Sequence, residues 1–201
     1  MLKGIDVSHY QLDITDYLED TDFIIIKASE GKSMKDPKRL DHYKTAKDNN
    51  KLIGFYHYAH PELNTVASEV NNFLSALPEG ALGECVLALD WEQKALKENI
   101  NWAYDFLQLV YKKTGVKPLF YCQASYTGKI SKIARGGFGL WVAHYKDSTY
   151  NLDWGKSPNT KISKPTIGAY PFWAFWQYTS KPVDRDLFNG TKSQFKAYAR
   201  R

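Results

Sequence analysis

The sequence predicts an α/β barrel in a single domain, on three observations. Apolar runs bounded by loop residues recur along the 201-residue chain, helical patterns lie between several of them, and the turn after the first run holds no glycine. Runs that are nearly continuous, not alternating, suit strands buried on both faces. Strand–helix–strand units of this kind imply parallel pairing through right-handed crossovers, and so an open doubly wound sheet or a closed barrel. An open nucleotide-binding sheet would carry a Gly-rich phosphate turn after its first strand. Residues 6–11 read Asp-Val-Ser-His-Tyr-Gln, so a barrel, complete or irregular, is favoured.

The candidate strands, in order, are residues 4–7, 23–28, 52–58, 85–91, 118–122, 140–145 and 173–178. Residues 64–77 place Val66, Val70, Phe73, Leu74 and Leu77 on one helical stripe, and residues 100–111 do the same with Ile100, Ala103, Tyr104, Leu107, Val110 and Tyr111. Asp36-Pro37 predicts a helix N-cap followed by proline at the first helical position, and Gly115 a C-terminal cap. Past residue 139 the helical patterns fade into two strand-like runs, a Ser-, Asn-, Lys- and Pro-rich loop over 147–171, and an amphipathic stretch from Thr191. With no linker, internal repeat or change of composition, residues 1–201 read as one domain.

Hydrophobic residues at 43% and charged residues at 24% exclude a disordered or low-complexity chain. Ten Phe, six Trp and 14 Tyr exceed what a core alone requires and point to exposed flat surfaces. The net charge of +5 is scattered along the sequence, with no basic run or binding motif that would suit a nucleic acid, while an anionic cell-wall polymer is an equally good counter-charge. No stretch approaches the ~18 apolar residues of a membrane span. The first residues lack the layout of a signal peptide, so the expectation is synthesis in the cytoplasm and export by another route. Cys85 and Cys122 lie within strand-like runs and read as buried free thiols.

In a parallel barrel, chemistry gathers where strands end. The polar residues there are Asp6, Lys27 with Glu30, Tyr56 with Tyr58, Asp90 with Glu92, Tyr121, Trp141 with Tyr145, Gln177, and Asp184 with Asp186. The most informative segment is Leu87-Ala88-Leu89-Asp90-Trp91-Glu92. Residues two apart on a strand point to the same side, about 6.6–6.8 Å apart along the chain, so Asp90 and Glu92 share the mouth. Two neighbouring carboxylates cannot ionise independently, and the drier one retains a proton, as a general acid must. Cleavage of glycosidic bonds is the chemistry most often built on such pairs. Singly, Tyr56, Trp141 and Trp176 read as core; their placement beside the acids is what suggests sugar stacking. His57 and His60 sit three apart, which on a regular strand faces them oppositely and argues against a metal pair. A serine hydrolase is disfavoured, because Ser8-His9 is merely adjacent and no Gly-x-Ser-x-Gly elbow is present.

These motifs together resemble the family 25 glycoside hydrolases, the Chalaropsis-type lysozymes. The matching pieces are Gly4-Ile5-Asp6-Val7-Ser8 with Gln11, the segment 23–31, Gly54-Phe55-Tyr56-His57-Tyr58, Leu89-Asp90-Trp91-Glu92, Phe120-Tyr121, the segment 140–145, Trp176-Gln177-Tyr178-Thr179 and the segment 183–188. The resemblance implies a flattened, irregular TIM-like (β/α) barrel of about eight strands and roughly five helices, with a groove across its mouth. It implies hydrolysis of the β-1,4 bond between N-acetylmuramic acid and N-acetylglucosamine in peptidoglycan, without metal or cofactor, by a monomer acting at the cell wall, as in holin-dependent phage release. Glu92 matches the general acid, and Asp90, Asp6 and Asp184 match the acids around it. Tyr56, Tyr58, Tyr121, Trp141 and Tyr145 would line the groove, with Gln177, Lys27, Glu30 and Asp186 also touching substrate. The rivals are a chitinase-type barrel, against which Ala88 stands where a further Asp is expected, and a barrel that binds wall glycan without cutting it.

Overall fold

The computed structural model describes residues 1–145 and 164–200. The chain runs β1 (Leu2–Val7), β2 (Phe23–Glu30), β3 (Met34–Lys35), α1 (Arg39–Asp48), β4 (Leu52–Tyr58), α2 (Val66–Ala76), β5 (Val86–Asp90), α3 (Ile100–Thr114), β6 (Leu119–Gln123), α4 (Ser131–Arg135), β7 (Leu140–Ala143), β8 (Phe175–Thr179), β9 (Asp184–Phe188) and α5 (Lys192–Ala199). The strand order is β1-β9-β8-β7-β6-β5-β4-β2-β3, and β1 pairs with β2 as well, which closes a barrel and leaves β3 outside it.

The expected barrel is therefore present, with one departure from parallel pairing. β9 runs antiparallel to both of its neighbours, β1 and β8. Residues 184–188 carried no strand signal, because Asp-Arg-Asp-Leu-Phe has charges where an apolar run would be sought. Their alternation is the signal: Asp184, Asp186 and Phe188 form one face of the strand, and of these Asp186 and Phe188 are fully buried.

The periodicity-based helices sit where expected, with ends that follow local chemistry. Thr65 caps α2 by accepting from Ser68 N, and Gly115 caps α3 in the left-handed region at φ 74°. Thr191 and Gln194 form a reciprocal capping box at the start of α5. Asp36 does not cap α1, which begins only at Arg39. Its buried carboxylate accepts instead from Lys38 N at 2.9 Å and from His9, through the backbone N at 3.0 Å and ring Nδ1 at 2.8 Å. Of the 147–171 loop, residues 147–163 lie outside the described residues.

Two apolar layers hold the barrel. Outside it, Ile5, Val7, Ile24, Ile26, Phe55, Leu87 and Leu89 pack on Val70, Phe73, Phe106, Leu107 and Val110 of α2 and α3. Inside lie Leu2, Phe23, Ile25, Val86, Leu119, Phe175 and Phe188, closed from below by Phe195 and Ala199 of α5. The fit is tight at Gly4, where an added Cβ would sit 2.2 Å from the Phe23 ring. The lower interior is thus filled with hydrocarbon, and polar side chains remain only toward the opposite end.

Candidate functional site at the barrel mouth

Strand parity delivers the acids. Asp6 follows Leu2 and Gly4 on the inner face of β1, and Asp90 follows Val86 and Ala88 on that of β5. Beyond Asp90 the backbone stays extended through Glu92, at φ −141° and ψ 179°, so the alternation continues. Between them Trp91 is fully buried on the outer layer, 5.9 Å from the Trp102 ring and 6.4 Å from Phe120. That anchor fixes the strand end with both carboxyls turned inward. On β9, Asp184 is the register partner of Asp6, which brings a third carboxyl alongside.

Lys27 and Glu30 reach the same mouth although they stand three positions apart, which on a regular strand would face them oppositely. The β2–β4 register shifts between Lys27 and Ser29, and this bulge reverses the parity. Lys27 Nζ then lies 2.6 Å from Glu30 Oε2 and 4.8 Å from the centre of the Tyr58 ring. His60 Nε2 holds the other Glu30 oxygen at 2.8 Å, and its Nδ1 lies 3.0 Å from Glu62. These two carboxylate contacts outweigh burial and raise the His60 pKa, and the Lys27 and His60 bonds likewise outweigh burial at Glu30 and lower its pKa.

A second network runs across β1, β6, β8 and β9. Tyr121 and Tyr145 hydroxyls both donate to Gln177 Oε1, at 2.8 and 2.5 Å, and Gln177 Nε2 donates to Asp6 Oδ2 at 2.6 Å. Trp141 Nε1 donates to Asp186 Oδ1 at 2.7 Å. Asp6 and Asp186 lie close enough on the inner wall for each to perturb the other's proton affinity, and Asp186 Oδ2 is buried without a hydrogen-bond partner. Burial, reinforced by the neighbouring charges of Asp186 and Asp184, pushes Asp6 well above the usual carboxylate range. Burial raises Asp186 to about 7 despite the Trp141 hydrogen bond, and burial with Glu92 nearby raises Asp184 to about 6.

The pair at residues 90 and 92 is perturbed in the same direction. Asp90 is raised well above its ordinary value by burial and then by the Glu92 charge, and its buried Oδ1 has no hydrogen-bond partner. Glu92, half-buried, is raised by burial, with Lys27 as the opposing influence. Among the described residues the carboxyls at this mouth outnumber the basic groups beside them, Lys27 and His60, and such a site holds protons near neutrality. Among the described residues, no group of three or more His, Cys, Asp or Glu has the geometry to hold a metal ion.

Two expected substrate contacts lie deeper than anticipated. Trp141 is 2% exposed, edge-on to Tyr121 at 4.7 Å and to Tyr56 at 6.1 Å, so its ring belongs to the interior packing and offers no open face. Asp186 is fully buried and bound by the Trp141 indole, so its influence on the cleft passes through its neighbours Asp6 and Asp184. Tyr145, 50% exposed, and the half-buried Tyr58 keep accessible rings. Tyr56 and Tyr121 are buried, with only small margins at the surface.

One cluster was missed. His57, fully buried on the outer face of β4, lies 2.8 Å from Ser29 Oγ through Nδ1 and 2.8 Å from Glu69 through Nε2. Glu69 also accepts from His60 N at 3.1 Å and from Asn64 Nδ2 at 2.8 Å. The available signal was a glutamate set within the buried face of α2, between Val66 and Val70.

Comparison with known proteins supplies the remaining context. The profile described as "Glycosyl hydrolases family 25" matches residues 5–187. The protein YegX of Escherichia coli K12, whose description assigns no activity, is 27% identical over 98% of this chain and 73% of its own length. Lysozyme M1 of Streptomyces globisporus is 28% identical over 98% of this chain and 71% of its own. The structure of a family GH25 lysozyme from Aspergillus fumigatus superposes with a TM-score of 0.78 at 25% identity, covering 100% of this chain and 99% of that one.

Proposed function

The chain belongs to family 25 of the glycosyl hydrolases, and on that premise we propose that it is a lysozyme, hydrolysing the β-1,4 bond between N-acetylmuramic acid and N-acetylglucosamine in bacterial peptidoglycan. The observation that carries this reading is the pairing of half-buried Glu92 with buried Asp90 on one extended segment at the mouth, both with raised pKa values. Glu92 is the general acid: its proton passes to the glycosidic oxygen as the bond from that oxygen to the muramic C1 breaks.

Because Asp90 lies on the same side of the strand as Glu92, it is poorly placed for attack from behind the sugar. The acetamido carbonyl oxygen of the muramic residue fills that role by bonding to C1. Asp90 orients the acetamido N–H and balances the positive charge that develops on it. Water then adds to C1, its proton taken by the Glu92 carboxylate, and the ring reopens with net retention. Asp6 is a poor base for the alternative, direct water attack, because it is buried and its Oδ2 is already engaged by Gln177. Asp184, half-buried and raised to about 6, is the group that would serve such an inverting route.

Mass spectrometry of fragments released from purified walls tests the bond, and proton NMR of the first product anomer tests the route. Reducing muramic acid ends and retention are expected. Reducing glucosamine ends would overturn the assigned bond, and inversion would transfer the second role to Asp184. A barrel that only binds glycan would show equal wall binding and no turnover in the wild type.

A further inference from the structure

The mouth of the barrel is acidic, whereas one groove at its closed end is basic. The mouth holds Asp6, Asp90, Glu92, Asp184, Asp186 and Glu30 against Lys27 and His60, while the net charge of the chain is +5. The balancing cations were scattered in the sequence, but folding gathers part of them. Lys196 and Arg200, four residues apart on α5 and its C-cap, are exposed, while Lys192 one turn earlier lies 3.7 Å from Asp22 in a neighbouring groove. α5 crosses beneath the barrel, its apolar side committed to the plug through Phe195 and Ala199. Beside it lies a groove of about 570 Å³ whose charged lining is Lys47, Lys51, Lys196 and Arg200 against the single acid Glu84. Glu84 is taken by Lys47 at 3.1 Å, and Lys51 Nζ is fixed by the Leu18 and Thr21 carbonyls at 2.6 and 2.7 Å. Among the described residues, Lys196 and Arg200 have no acidic partner.

We propose that this groove at the closed end of the barrel is a second binding surface, taking a phosphodiester-linked anionic polymer of the bacterial wall. The destination rests on the lysozyme reading above; the groove itself rests on the charges just described. A polyanion is repelled from the acidic mouth and attracted to the base, so the two sites do not compete for one ligand. Successive phosphates along a flexible chain match Lys196 and Arg200, about 6 Å apart along the helix axis. A membrane surface fits less well, because α5 has no apolar face left to insert. The enzyme is thereby held on the wall by one end while its acids, at the opposite end, work on glycan.

The test is sedimentation with purified Gram-positive walls, before and after hydrofluoric acid removal of phosphodiester polymer, in a Glu92→Gln background to prevent digestion. The expected result is tight binding to untreated walls that weakens with salt, and binding about ten-fold weaker for Lys196→Glu/Arg200→Glu. Stripped walls should erase that difference. Lys196→Gln/Arg200→Gln should fall between, and unchanged thermal unfolding of both variants verifies that they fold. The proposal is overturned if the reversed variant binds untreated walls like its parent, or if stripping leaves the parent's binding unchanged. It is likewise overturned if anionic phospholipid vesicles or duplex DNA hold the parent more tightly than walls do. With Glu92 intact, Lys196→Glu/Arg200→Glu should cleave soluble glycan fragments at the wild-type rate. A wild type that cuts no soluble glycan would sink the lysozyme reading instead, in an assay separate from adhesion.

Discussion

Strands β2 and β4 carry titratable clusters on both faces, and the two are built on opposite rules. Behind the sheet, Ser29, His57 and Glu69 are fully buried and each polar atom meets a complementary one. Burial lowers the His57 pKa against the opposing pull of Glu69, so the ring is neutral, donates from Nε2 to the carboxylate and accepts the Ser29 hydroxyl at Nδ1. The trio has the membership of a nucleophile–histidine–acid set, yet no substrate reaches it. Inside the barrel, by contrast, like charges are crowded, and buried Asp90 Oδ1 and Asp186 Oδ2 lack ordinary partners. Satisfied polar burial serves the fold, while frustrated burial stores the perturbed proton affinities that chemistry uses.

The sharpest break between the two faces should come from Glu92→Gln, which removes the acid without emptying space. Turnover on purified walls should fall by about 10²–10⁴-fold with the unfolding temperature unchanged. The mirror experiment is Glu69→Ala, which strands His57 and Asn64 in a dry site. It should cost about 3–5 kcal/mol in chemical denaturation, while kcat of the folded fraction stays within about two-fold of wild type.

Asp186→Asn tests frustration directly through stability. The native Asp186 carboxyl titrates at about 7, above its unfolded value, so the folded state binds the extra proton between about pH 4 and 7. Its contribution is complete below that window and is lost as pH rises through it. The amide, which can keep the Trp141 hydrogen bond without carrying charge, should therefore raise the unfolding temperature at pH 8, by about 2–4 °C per kcal/mol, with the gain fading toward pH 4. Lys27→Met removes the cation that holds Glu92 down, so the alkaline limb of the pH–rate profile should move to higher pH. The smallest effect is expected from Tyr145→Phe, which deletes one of two hydroxyls on Gln177: a loss of about 1 kcal/mol, read as a several-fold rise in KM.

The sequence made the barrel legible because its parallel strands are apolar on both faces, and the acids legible because Asp90 and Glu92 end such a strand. What stayed hidden depended on tertiary pairing. β9 is a strand whose charges point inward, so apolar content conceals it and alternation alone reveals it. The bulge after Lys27 is a register event that neither Lys27 nor Glu30 announces, and it alone brings both to the mouth. Asp36 looked like a helix cap because Pro37 follows it, yet its carboxylate serves a loop from β1. Trp141 by itself reads as core, and only the resemblance sets it in the groove lining; neither discloses that Asp186 lies beneath to accept from its indole N–H.

Because β9 is stitched between β1 and β8, the earliest and latest strands of this chain are immediate neighbours. A ribosome-bound chain that has extruded everything up to Thr179 still has two open edges, and Asp6 still lacks Asp184 and Asp186. Closing the barrel and completing the carboxyl cluster at its mouth are therefore a single event, the seating of residues 184–188 between those two edges.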